Sequence, residues 1–170
     1  MITDLRFRLP VALLLCLLLH TTLLAEVRVA GVMPDIMLLV AVAAGLVAGP
    51  SYGAVAGFAS GLLSDLLLPT PLGLSALVFT LIGYAVGLAK AGLLRESPAF
   101  PVAVAFVASS AGVGLFALAG SMIGATGLMN ARLATVMLVV GIANGLLVLP
   151  VLRLVRWSLA GRPPERAYAE

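Results

Sequence analysis

The stretch PDIMLLVAVAAGLVAGPSYGAVAGFASGLLSDLLLPTPLG, residues 34–73, decides how this chain folds. It contains two apolar runs and only two charged residues, Asp35 and Asp65. Pro34 and Asp35 open the first run. A proline at the first helical position gives up no needed N–H, and an acid beside it faces the positive end of the helix dipole. This run continues from Ile36 to Gly49. Only Pro50 and Ser51 separate it from the next, Tyr52 to Leu68, so the two read as an antiparallel helical hairpin. Pro69 and Pro71 then break the chain around Thr70.

Outward from this hairpin the same texture continues. Of the 170 residues, 62% are hydrophobic and 10% charged, with 18 glycines besides; mean hydropathy is +1.21. A soluble domain carries roughly 25% charged residues. Too little polar surface is present to solvate a globule, and disorder is excluded on the same ground. A bilayer core of about 30 Å takes ~20 apolar residues per helix. Further runs cover residues 9–25, 72–89, 99–123 and 133–152, and together with 34–49 and 52–68 they predict six transmembrane helices. Only helices satisfy every backbone group in lipid without a closed barrel. The expected fold is an all-α polytopic integral membrane protein: one six-helix domain over residues 1–157 and a flexible basic tail over 158–170. The first run, behind Arg6 and Arg8, looks like a signal peptide, but Leu23 is not the small residue a cut after Ala25 needs, so it reads as a retained helix.

Ten basic residues give a net charge of +3. They form no stripe or patch, which argues against nucleic acid and for an orientation signal. With six crossings, Arg6, Arg8, Lys90, Arg95, Arg153, Arg156, Arg162 and Arg166 fall on one side, and only Arg28 and Arg132 on the other. Both termini are therefore expected in the cytoplasm.

Chemistry-bearing residues are few. Gly49-Pro50-Ser51-Tyr52-Gly53 fits the serine-hydrolase elbow G-x-S-x-G, but that elbow works only between a strand and a helix with a histidine nearby. The only histidine, His20, lies toward the opposite face. No catalytic residue, cofactor site or metal site is assigned; one histidine and one cysteine, Cys16 in a leucine run, do not make a zinc site. Asn144, in the middle of the sixth run, is expected to hydrogen-bond to a neighbouring helix. Gly45, Gly49, Gly53, Gly57 and Gly61 recur every four residues, with further pairs at Gly83 and Gly87, Gly120 and Gly124, and Gly141 and Gly145. Because Pro50 interrupts the row, it reads as two short stripes facing each other across the hairpin. Glycines so spaced let another backbone approach closely; that backbone belongs either to this bundle or to a partner's helix. Asp65, among leucines near its helix's C-terminal end, is costly there and gets no help from its own helix dipole. Its expected role is an ion pair or hydrogen-bond cluster with Asp35, Arg28 and Glu26, or contact with a partner or ligand.

The order of three elements carries a resemblance. Met33-Pro34-Asp35-Ile36, then Gly57-Phe58-Ala59-Ser60-Gly61-Leu62-Leu63-Ser64-Asp65, then Leu72-Gly73 resemble the rod shape-determining MreD family over about residues 33–87. The family has a Pro-Asp opening its second helix, Gly-Phe-x-x-Gly-Leu-x-x-Asp in its third, and Leu-Gly before its fourth; Met33 stands where it often has arginine. The resemblance implies a non-enzymatic scaffold of the cell-elongation machinery in the bacterial inner membrane. Implied partners are the single-span protein MreC, with RodA, its transpeptidase and, where present, MreB filaments. It also implies a bundle similar to the S subunits of energy-coupling factor transporters, and hence a rival reading as a vitamin-binding transport subunit. The candidate partner interface is Pro34, Asp35, Gly57, Phe58, Gly61 and Asp65. Membrane lipid is the other expected contact.

Overall fold

The computed structural model describes residues 31–67, 71–92, 99–124 and 129–159, together with Cys16 and Leu18. Five helices result: α1 (Ile36–Ala48), α2 (Pro50–Leu67), α3 (Leu74–Gly92), α4 (Ala99–Met122) and α5 (Leu133–Leu159). They correspond to the second through sixth apolar runs. The first run lies outside the described residues except for Cys16 and Leu18, both helical. Cys16 is packed in the core while Leu18 is exposed. Arg28, Glu26, His20 and both termini also lie outside.

Two helices, Ala99–Met122 and Leu133–Ser158, are long and apolar enough to cross a membrane; Ile36–Ala48 and Leu74–Lys90 are shorter apolar stretches. At 1.5 Å per residue α1 spans only about 20 Å. It is also the centre of the molecule: every residue from Ile36 to Gly45 is buried, and α1 packs on each of the other four helices. A helix enclosed by protein does not need to match lipid thickness, because its ends are satisfied by neighbours. Around it, α2 pairs most extensively with α3, and α4 with α5.

The boundaries differ from expectation in instructive ways. Pro34 is not the first helical residue. Asp35 is the N-cap of α1, its Oδ1 accepting from the Leu38 N–H at 3.0 Å, and Pro34 precedes it. The N-terminal proline role falls instead to Pro50, the first residue of α2, where a missing N–H is harmless. Gly49 makes the connection with φ of +88°, a backbone state L side chains avoid. Ser51 therefore sits in the first turn of a helix and not on a strand-to-helix elbow. Leu72 and Gly73 form a turn, and α3 begins at Leu74. The sixth run also continues as helix to Leu159, so Ser158 and Leu159 belong to α5 and not to a flexible tail.

Candidate functional site: a carboxylate clasp over a glycine seam

The five-glycine row resolves into one turn and one seam. Gly49 is the turn; Gly45, Gly53, Gly57 and Gly61 all press on α3. A Cβ on Gly53 would fall on the Gly83 carbonyl and one on Gly57 on the Phe79 carbonyl; on Gly61 it would sit 2.5 Å from Ala76 Cα. On Gly45 it would lie 2.5 Å from the Gly83 carbonyl oxygen, and on Gly87 it would fall on Pro50. The stripes do touch across the hairpin, Gly53 on Gly45, but their main neighbour is the third helix. Ser60 and Ser64 on this buried face turn their hydroxyls back to the carbonyls of Gly57 (3.3 Å) and Ser60 (3.0 Å). At Gly53, Gly57 and Gly61 the seam is thus backbone against backbone, as small residues allow.

Asp65 closes this seam at one end. It is 3% exposed. Oδ2 accepts from the N–H groups of Gly73 (2.8 Å) and Ala76 (3.3 Å), and Oδ1 from Ser75 (3.1 Å). These are N–H groups at the start of α3, which no carbonyl of that helix reaches. Residue 73 occupies the N-cap position and, being glycine, has no side chain to serve them. Asp65 supplies the missing cap from eight residues upstream, and the positive end of the α3 dipole receives its charge. Asp65 is thus held by the backbone at the start of α3; Arg28 and Glu26, the other members of its expected cluster, lie outside the described residues.

A second knot ties α1 to α4 and α5. The Asn144 amide nitrogen donates to the Asp35 carbonyl (3.0 Å) and to Ser109 Oγ (2.9 Å). Asn144 thus bonds to neighbouring helices as expected, and the Asp35 carbonyl, an acceptor only, fixes which way its amide faces. Its Oδ1 is buried without a partner among the described residues. On the same α4 face, Leu38 packs against Gly112. Sequence reading missed Ser109 and Gly112; the small residues Ala105, Ala108, Ser109 and Gly112, three or four apart and all buried, were the available signal.

Between clasp and knot lies a cavity of about 300 Å³, lined by Pro34, Asp35, Leu38, Ser64, Ser75 and Phe79 among others. Its wall is mainly apolar. Ser64 and Ser75, 7% and 2% exposed, are among the few polar residues in that wall.

The six candidate interface residues therefore separate into three places. Pro34 and Asp35 line the cavity. Gly57, Gly61 and Asp65 share the inner face of α2, already filled by α3. Phe58, 55% exposed, points away from the bundle, as do Val55, Leu62 and Leu66, which share the outer face with it at helical spacing.

No curated protein and no solved structure matches the chain. A family model described as rod shape-determining protein MreD matches residues 1–158, well beyond the 33–87 segment that carries the motifs. The chain belongs to the MreD family of rod shape-determining proteins.

Proposed function

We propose that this protein is a non-enzymatic scaffold of the cell-elongation complex, a six-span protein of the bacterial inner membrane with both termini in the cytoplasm. The family match over residues 1–158 carries this reading. Its mechanism is helix docking: a single-span MreC-like partner lies along the outer ridge of α2 formed by Val55, Phe58, Leu62 and Leu66. RodA, its transpeptidase and MreB filaments join through that partner. Gly57, Gly61 and Asp65 contribute from behind, by holding α2 rigidly on α3 so that the ridge keeps one shape. In lipid, helices associate through packing and a few polar contacts, and a fixed ridge with a protruding aromatic ring suits that mode. The test is a mild-detergent pull-down of the tagged chain from its native membrane. Recovery of a single-span MreC-like protein, lost on Phe58→Ala, is the expected result. Unchanged recovery from that variant would sink the ridge as the docking surface.

The cavity favours a second reading, a substrate-binding subunit of a vitamin transporter, because it combines an apolar wall with Asp35, Ser64 and Ser75 as ligand pockets do. In that case the pull-down returns an ATPase pair and a coupling subunit, and a vitamin raises the melting temperature of the purified protein.

A further inference from the structure

The helices of this bundle do not begin level with one another. Asn144 donates to the Asp35 carbonyl, yet it lies eleven residues into α5, which starts at Leu133. At 1.5 Å per residue, α5 therefore rises about 16 Å beyond the start of α1. Leu38 and Ile82 both pack on Gly112 of α4, ten residues before that helix ends at Met122. On the same measure α4 overshoots the start of α1 by ~10 Å and α3 by ~8 Å. The first helix thus starts at the bottom of a well whose walls are its neighbours. The cavity of about 300 Å³ occupies that well.

Its lining is sorted by chemistry. Leu38, Phe79 and Phe116 supply apolar surface from three helices, two of them as aromatic rings. The polar side chains are Asp35, Ser64 and Ser75. The Asp35 carboxylate can only accept, and one of its oxygens already takes the Leu38 N–H. Ser64 gives its proton to the Ser60 carbonyl at 3.0 Å, so it turns only lone pairs to the cavity. Pro34 beside them has no N–H to offer. The polar part of the wall therefore calls for a donor and repels an anion.

We propose that this cavity binds a small aromatic molecule of one or two rings that carries an N–H or O–H donor and no negative charge. The space is about twice the ~150 Å³ that holds benzene in an engineered apolar cavity, and it stands at the lower end of ligand pockets by volume. A flat ring matches the Phe79 and Phe116 rings, and its donor meets the acceptors of the wall. An acyl chain would instead set the Ser64 lone pairs against hydrocarbon, which is unfavourable. The proposal rests on the reading of the cavity as a ligand site, and not on transport.

The test is calorimetric titration of the full-length protein in nanodiscs, with empty nanodiscs as blank. The probes are indole, its isostere benzofuran, which has no N–H, and the anion indole-3-acetate. Indole is expected to bind saturably and one to one, with a Kd of about 1 mM or tighter, as suits a body of its size. Benzofuran and indole-3-acetate are expected to bind about tenfold more weakly, as loss of one hydrogen bond to a charged acceptor implies. Val113→Phe fills the cavity from α4 and is expected to abolish indole binding, with a melting curve in the absence of probe to verify its fold. Asp35→Asn keeps an N-cap of equal rank and is expected to restore binding of indole-3-acetate, a change of selectivity that altered packing does not produce. No saturable indole binding by wild type, equal affinity for the three probes, or unchanged binding by a folded Val113→Phe would overturn the proposal. A pull-down without an ATPase pair rejects transport and leaves this site standing, whereas failure of indole to bind leaves the outcome of the pull-down untouched.

Discussion

Asp65 Oδ2 lies 2.8 Å from the backbone nitrogen of Gly73, so a side chain near the end of one helix caps the beginning of the next. The clasp predicts a graded response to substitution. Asp65→Ala leaves three N–H groups of α3 without their acceptor, two of them bonded in buried surroundings. It should destabilise the protein by about 1–3 kcal/mol. Asp65→Asn retains one acceptor oxygen and should fall between wild type and alanine. Reversible unfolding in mixed micelles measures both; an alanine variant as stable as wild type would remove the clasp from the account.

Two glycines of opposite character give a paired test. Gly73 has φ of +95° and open space around its would-be Cβ, so Gly73→Ala should cost about 1–2 kcal/mol of backbone strain. Gly61 is in ordinary helix, yet a Cβ there would lie 2.5 Å from the Ser75 carbonyl oxygen and Ala76 Cα. Gly61→Ala should therefore be the worse of the two, and Gly61→Leu should not yield folded monomer by size-exclusion chromatography.

At the knot, Asn144→Ala removes the bonds to Asp35 and Ser109 and should destabilise by about 1–3 kcal/mol. Asn144→Asp should be worse, because it points a second acceptor at the Asp35 carbonyl. Were the aspartate the milder change, the amide would face the other way. Ser109→Ala should be milder than either, since the Asp35 bond survives.

Phe58→Ala should leave thermal stability within about 0.5 kcal/mol of wild type, as exposed positions usually do. If the α2 ridge is the docking surface, the same change should lower recovery of the single-span partner. A photo-crosslinker at residue 58 should capture that partner, whereas one at Leu138, exposed on α5, should not.

The positions of five helices were legible because apolar runs and prolines mark them directly. Their ends were less so. Arg153 and Arg156 stop the hydropathic run but not the helix, since charge opposes burial in lipid and not helical hydrogen bonding; α5 thus runs seven residues past the point where its apolar run stops. The glycine row announced a close backbone approach, but spacing within one helix does not name the helix that approaches. Asp65 was recognisable as costly where it stands. Its compensation was hidden because the donors come from the following helix, folded back within eight residues. Asn144 was visible as a polar residue needing a partner, and its two partners are 35 and 109 residues away in sequence.

The burial of α1 on all sides has a further consequence, for how sequence variation is distributed. A helix with one face outward tolerates change every third or fourth residue, and a saturation scan of α5 should oscillate with that rhythm. Residues 36–45 have no outward face. Their profile should be flat and uniformly intolerant, with side-chain volume, more than hydrophobicity, deciding which substitutions survive. The shortest helix of the five is then the one whose sequence has least freedom to drift.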